Sequence, residues 1–177
     1  MASEHQEENP ARSLGEIGLN SFAPYLMNRL MARYNANLAE ALKGRQITTV
    51  KLRTLAVLSV TPSATINELA VFTVTEQSTM SRTLDSLEEQ GYIRRQARAE
   101  DMRIRDISMT EEGRNIFNEA WPVMYDLLLQ LFEGIDEDEH RAFVGTLQKM
   151  LRNIRKTNFD IMFDNRPIRS WERIGFS

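Results

Sequence analysis

The chain has 177 residues, of which 42% are hydrophobic, with a formal charge of −3 and an isoelectric point near 5.5. That is enough apolar material to bury one core, or a compact lobe joined to an oligomerisation lobe, and too acidic a balance for a protein that coats nucleic acid by charge alone. There is no cysteine, which excludes disulfides, thiolate metal sites and thiol-based peroxide sensing.

The opening MASEHQEENPARS is acidic and has no apolar core of the kind a secretory signal needs, and nowhere does an apolar run approach the roughly 18 residues of a membrane span. A mobile N-terminal arm over residues 1–18, a cytoplasmic location and no membrane partner are the expectation. From Leu19 to Leu42 the residues Leu19, Phe22, Leu26, Leu30, Tyr34, Leu38 and Leu42 keep an i, i+3, i+4 rhythm, and Tyr25, Met27 and Met31 widen the stripe. So wide an apolar face predicts a helix that touches two neighbours, with a second subunit as a candidate for one of them. Lys43-Gly44-Arg45 breaks it, and Thr48 or Thr49 then caps a short helix carrying Leu52, Leu55 and Leu58.

Thr61-Pro62-Ser63 reads as a loop, and Thr65-Ile66-Asn67-Glu68 as a capping box that starts a helix through Leu69 and Ala70. Phe72 to Thr75 is a short turn, with Thr75 as the expected N-cap of the next helix. In that helix Met80, Leu84 and Leu87 lie within about 60° of one another at 100° per residue, which turns Ser78, Arg82 and Asp85 away from the core. Its exposed N-terminal half of Gln77, Ser78, Thr79, Ser81 and Arg82 is small, polar and able to donate hydrogen bonds to phosphates and base edges. These segments make a helix-turn-helix.

After Gly91, Tyr92 to Arg95 and Ile104 to Met109 are strand-like, with Gln96 to Arg103 as the hairpin tip, or wing. Five arginines (Arg94, Arg95, Arg98, Arg103 and Arg105) fall between Tyr92 and Arg105 against Glu100 and Asp101, whereas Glu133 to Glu139 carries five acids and no base. A basic finger on an acidic body binds DNA locally while the remainder limits unspecific attachment. Thr110-Glu111-Glu112-Gly113 starts a long helix with the stripe Ile116, Ala120, Val123, Leu127 and Leu131, and Pro122 within it is expected to kink it. Gly134 stops that helix, Asp136 caps the next, and Phe143, Leu147, Met150 and Ile154 form its expected buried face.

The organisation that follows is a mainly α (α+β) fold. A winged helix-turn-helix DNA-binding domain spans residues 46–110, and a helical dimerisation lobe is built from residues 19–45 and 111–156. The tail, 157–177, holds Phe159, Ile161, Met162, Phe163, Trp171, Ile174 and Phe176, too many apolar side chains for a solvated end.

The order of these parts resembles the MarR family of bacterial transcription regulators, from about Phe22 to Arg155. The specific pieces are Ser78-Thr79-Met80-Ser81-Arg82 with Leu84, Leu87 and Glu88-Glu89-Gln90-Gly91-Tyr92-Ile93-Arg94-Arg95, and Asp101-Met102-Arg103 followed by Ser108-Met109-Thr110-Glu111-Glu112-Gly113. The resemblance implies a homodimer in which the first and last helices interleave and each winged lobe reads half of a palindrome. It also implies that Arg103 enters the minor groove with Asp101 holding it in place. Two departures are visible: Arg105 stands where the family's return strand has an apolar residue, and the tail after Lys156 has no counterpart.

For Gln77, Ser78, Thr79, Ser81 and Arg82 the rival to DNA contact is a merely solvated helix face; the turn before and the wing after favour contact, with Arg82 on phosphate. Arg94, Arg95 and Arg98 are read as phosphate neighbours, and Arg103 as the minor-groove residue because a narrow groove concentrates negative potential. The family resemblance implies a crevice for small aromatic or phenolic anions between the two lobes. Tyr25, Arg29, Trp121, Met124 and Tyr125 are the candidates here, against the blander readings of Trp121 and Met124 as core and Arg29 as an intersubunit ion pair. His5 and His140 have no plausible metal or nucleophile partners, and no GxGxxG, P-loop or Ser-His-Asp set is present, so neither an enzyme nor a cofactor or metal is expected.

The expected function is a sequence-specific DNA-binding regulator, by the family resemblance a repressor, released from an inverted-repeat operator in double-stranded DNA by a small aromatic or phenolic effector. The alternative is a winged-helix dimerisation module that binds protein rather than DNA, against which the Ser-Thr-Met-Ser-Arg face weighs.

Overall fold

In the computed structural model, which describes residues 12–97 and 104–155, helical structure begins ahead of the expected start at Leu19. Ser13 forms a capping box with Glu16, its hydroxyl accepting the Glu16 N–H at 3.3 Å while the Glu16 carboxylate accepts the Ser13 N–H at 2.6 Å. That box starts α1 (Leu14–Ile17), and a 3-10 turn (Leu19–Ser21) follows. The expected arm therefore ends in structure, and its residues 1–11 lie outside the described residues. The tail from 156 on lies outside them too.

Next come α2 (Ala23–Ala41), α3 (Thr49–Val60), α4 (Ile66–Thr73) and α5 (Gln77–Glu89), then β1 (Ile93–Ala97), β2 (Arg105–Met109), α6 (Glu111–Leu131) and α7 (Glu137–Arg155). The mainly helical, α+β class and the winged helix-turn-helix are thus observed. The described residues fall into two compact units, one up to Leu131 and one from Phe132.

In the first unit α3, α4 and α5 pack on one another, α6 packs on α2 and α3, and β2 lies against α3 and α4. Their shared core holds Leu38, Leu52, Leu55, Leu58, Leu69, Met80, Leu84, Leu87 and Ile107, all of them buried. Each such leucine contributes about 1.5–3 kcal/mol by leaving water. The stripe Met80, Leu84, Leu87 is therefore what fixes the rotation of α5 about its axis.

The hairpin is antiparallel with Ile93 opposite Met109, Arg95 opposite Ile107 and Ala97 opposite Arg105, a register that continues unbroken to the exposed Arg105. β1 reaches Ala97, two residues into the stretch read as tip. The loop after α3 adds a further rung, since Ala64 and Ile107 exchange backbone hydrogen bonds of 2.9 Å in both directions. This rung ties the wing's return strand to the start of the helix-turn-helix.

Thr110 joins wing, turn and helix. Its Oγ1 accepts the Gly113 N–H at 3.0 Å as a cap for α6 and donates to the Gly91 carbonyl at 2.6 Å, while its N–H donates to the Tyr92 carbonyl at 3.1 Å. Gly91 sits at φ +75°, a conformation that favours glycine, which lets the chain reverse from α5 into β1. α6 continues through Pro122 to Leu131 as one helix, although the proline supplies no N–H to the turn before it.

In the second unit Asp136 caps α7 as expected, its Oδ1 accepting the N–H groups of Asp138 and Glu139 at 2.9 Å. Phe132 meets His140 edge-on at 4.4 Å, which gives that histidine a packing role. Of the face expected to be buried, Phe143 and Ile154 are exposed in the single chain, Ile154 at 71%, whereas Leu147 and Met150 are half-buried; Leu151, outside that face, is exposed too. Along α2 the same holds for Leu26, Leu30 and Met31, and just before it for Leu19 and Phe22.

Candidate nucleic-acid interface

The polar end of α5 is presented by the turn that precedes it. α4 runs to Thr73 rather than ending near Phe72, Val74 adopts a left-handed conformation (φ 53°, ψ 53°), and the Thr75 N–H closes back on the Ala70 carbonyl at 2.9 Å. The expected N-cap is therefore corrected. Glu76 occupies that position without a side-chain hydrogen bond, because the Thr75 hydroxyl turns back to Thr73, whose carbonyl accepts it at 3.3 Å. The start of α5 thus carries no side-chain cap from Glu76.

With Met80, Leu84 and Leu87 buried, Gln77, Ser78, Thr79 and Arg82 are exposed and Ser81 is half-buried. Gln77 is not loose: its Nε2 donates to Oδ1 of Asn67 on α4 at 2.9 Å. The rear of α5 is braced from two sides. Lys51 of α3 donates from Nζ to Ser86 Oγ at 2.8 Å and to Gln90 Oε1 at 2.7 Å. Partial burial lowers the Lys51 pKa from the ordinary lysine value, and the Glu89 carboxylate acts weakly in the opposite direction.

From the wing, Arg95 reaches Asp85 at 2.7 Å and Glu88 at 3.4 Å. Arg95, read from the sequence as a phosphate neighbour, instead turns its guanidinium to two carboxylates of α5. Arg94 points to the other face of the hairpin, where its Nε donates to Ser108 Oγ at 3.0 Å across the ladder. Arg98, Asp101 and Arg103 lie outside the described residues.

The residues suggested for an effector fall into two sets. The Arg29 guanidinium carbon lies 5.6 Å from the Tyr25 ring centre on α2. On α6 Trp121 stacks at a tilt on Phe117 and Tyr125, with ring centres 5.6 and 6.2 Å away, and both Trp121 and Met124 pack against the core. Among the described residues no ring contact or hydrogen bond joins the α2 pair to the α6 trio. A hollow of about 280 Å³ lies elsewhere, lined by Arg45, Gln46, Ile47, Ile116, Glu119 and Ala120. No group of His, Asp or Glu among the described residues is placed to hold a metal ion, and no described helix is long and apolar enough to cross a membrane.

Sequence reasoning did not single out Lys51, Asn67 or the Gly91–Thr110 bond. Asn67 was visible only as part of a capping box, and nothing local marks Lys51, whose partners lie 35 and 39 residues away.

The family model described as MarR matches residues 47–104. A transcriptional regulator of the MarR family from Silicibacter pomeroyi is 44% identical, with a TM-score of 0.76 over 81% of this chain and 97% of its own. The transcriptional repressor CouR bound to a 23-mer DNA duplex is 22% identical, with a TM-score of 0.66 over 81% of this chain and 100% of its own. CouR from Rhodococcus jostii RHA1 bound to p-coumaroyl-CoA is 20% identical, with a TM-score of 0.63 over 83% of this chain and 99% of its own.

Proposed function

The chain belongs to the MarR family, and from that premise we propose that it is a homodimeric transcriptional regulator that represses by binding an inverted-repeat operator in double-stranded DNA and leaves it when a small aromatic or phenolic effector binds. The observation that carries this reading is α5: a buried Met80-Leu84-Leu87 stripe turns Gln77, Ser78, Thr79 and Arg82 outward, and the wing strand is tied to the same helix through Arg95. A helix so held can enter a major groove with its N-terminal residues on base edges, while the wing runs toward the neighbouring minor groove. Arg82 and Arg94 then neutralise phosphates, and Arg98 and Arg103 extend the basic wing, with Asp101 supporting Arg103.

Dimerisation is supported by the exposed apolar residues of two helices, Leu26 and Leu30 on α2 and Phe143 and Ile154 on α7. Cover by a second copy would remove them from water. Two-fold symmetry then sets the operator: two half-sites about one helical turn, roughly 10 base pairs, apart. CouR, of the same fold, has been seen bound to a 23-mer DNA duplex and bound to p-coumaroyl-CoA, which supports both partners. An effector acts only by preferring the geometry in which the two recognition helices no longer match the half-sites; equal affinity for both geometries would change nothing. Tyr25, Arg29, Trp121, Met124 and Tyr125 remain the proposed effector residues, in two separate sets.

The test is a gel shift with the DNA upstream of the protein's own gene. A sharp complex with an inverted repeat is expected, and Arg82→Ala should weaken it strongly while the dimer persists. A monomer, or equal affinity for every duplex at moderate salt, would overturn the proposal. Titrating aromatic acids and their thioesters into the complex then tests release, and a releasing compound indifferent to Arg29 and Trp121 substitution removes the effector assignment.

A further inference from the structure

The side-chain bond between the two helices of the helix-turn-helix has a chemistry that the general reading does not use. Gln77 is the first residue of α5, and Asn67 lies in the first turn of α4, ten residues earlier. The capping box of α4 fixes the Asn67 backbone, with Thr65 Oγ1 accepting the Glu68 N–H at 3.3 Å and the Glu68 carboxylate accepting the Thr65 N–H at 2.5 Å. Across the turn, Gln77 Nε2 donates to Asn67 Oδ1 at 2.9 Å, and both side chains are exposed.

A bond so open to water adds little to folding, since solvent satisfies either amide nearly as well. Its effect is on orientation. The terminal torsion of a glutamine is broad and roughly two-fold, so a free carboxamide presents its oxygen and nitrogen in either order. An adenine in the major groove asks for one order only: a donor toward N7 and an acceptor toward the N6 amino group. The amide nitrogen has two hydrogens. Asn67 takes one, and the other, together with Oε1, has no partner among the described residues.

We propose that Asn67 is a positioning residue for base reading: it holds the Gln77 carboxamide in one orientation, and the edge so presented selects an A·T pair in each half of the operator. This rests on the DNA-binding reading above. Asn67 acts through Gln77, and the signature of that role is a change confined to one base position, which a merely structural tie between helices would not produce.

The experiment selects bound duplexes from a randomised pool with the full-length wild type and with Gln77→Ala, Asn67→Ala and Asn67→Asp. The wild type should fix an A·T pair at one position of each half-site, and Gln77→Ala should weaken that preference about tenfold. Asn67→Ala should weaken it at the same position, leave the remaining positions as in the wild type, and leave thermal unfolding unchanged. Asn67→Asp should keep the preference, because a carboxylate can only accept the Gln77 N–H, while lowering affinity for all duplexes through its charge. The inference is overturned by an Asn67→Ala protein with an unaltered preference or one weakened equally everywhere, or by Asn67→Asp behaving like the alanine variant. If the wild type selects no inverted repeat, the DNA-binding reading fails with it; if it selects one indifferent to residue 67, this inference alone fails.

Discussion

Arg95 of β1 sets its Nη2 2.7 Å from Oδ1 of Asp85 on α5, so the wing strand and the proposed recognition helix are joined by an ion pair. The Arg95 side chain is 24% exposed and that of Asp85 54%, which makes this a partly screened pair worth about 0.5–1 kcal/mol. Its larger effect is geometric: Glu88 shares the guanidinium at 3.4 Å, and the two carboxylates together limit how far β1 can swing from α5.

A phosphate contact and a brace can be told apart by salt. Removing an arginine that neutralises a phosphate lowers the slope of log affinity against log salt by about one unit. Arg82→Ala should do that. Arg95→Gln should weaken operator binding while the slope stays as in the wild type, and a slope that falls as it does for Arg82→Ala would place Arg95 on DNA instead.

Gly113 sits where a methyl group has no room. A Cβ there would lie 2.0 Å from the Tyr92 carbonyl oxygen and 3.0 Å from Met109 Cγ, so α6 would have to move off the base of the wing. Gly113→Ala should therefore cost about 1–3 kcal/mol in urea unfolding, the range for forcing extra volume into a packed site. Unchanged stability would show that this junction is looser than its geometry.

Val74 is a β-branched residue in the left-handed region, and at 91% exposed it gains little from burial to offset the strain. The left-handed conformation costs such a residue about 1–2 kcal/mol, and glycine gives back part of that gain through its freer unfolded chain. Val74→Gly should stabilise the protein by about 0.5–1 kcal/mol, read as a higher thermal midpoint. Destabilisation would mean that the valine side chain is held by something other than its own chain.

Leu26 and Leu30 lie one turn apart on α2, 42% and 40% exposed in the single chain. Replacing both with Glu should leave the helical content by circular dichroism intact and shift the mass by light scattering from dimer to monomer. Operator affinity should fall with it, because each protomer then reads only half a site. A double variant that stays dimeric would move the interface off α2.

Lys51 gives stability a pH dependence of definite sign. Its folded pKa is lowered, chiefly by burial, so the folded state binds this proton more weakly than the unfolded state does. The Lys51 contribution therefore rises with pH through the window between the lowered folded value and the ordinary lysine value of about 10.4, and the desolvation cost is fully present below it. Measured against Lys51→Met, the wild type should gain stability as the pH rises through the alkaline range toward the ordinary lysine value. A relative loss over that range would reverse the assignment.

The elements were legible along the chain because each rests on neighbours in sequence. Thr48, Thr65 and Asp136 cap the helices they precede, since an N-cap oxygen meets N–H groups two or three residues on. The period of Met80, Leu84 and Leu87 sufficed to orient α5, because a helix turns by a fixed angle per residue. The same locality explains the misread turn. Thr75 has the right chemistry for a cap, but α4 extends to Thr73, and a left-handed valine is a conformation that its side chain argues against.

Which partner each polar side chain of the site takes was decided by the tertiary structure. Arg94 and Arg95 look alike in sequence, yet the pleat of β1 sends one to Ser108 and the other to Asp85. Lys51 meets Ser86, and Asn67 meets Gln77, only once the buried leucines have pressed α3, α4 and α5 together. Hydrophobic periodicity sets what is buried and which face is left outside; hydrogen bonds and ion pairs form between groups that burial has already brought within reach, and that proximity is not written in any local stretch of chain.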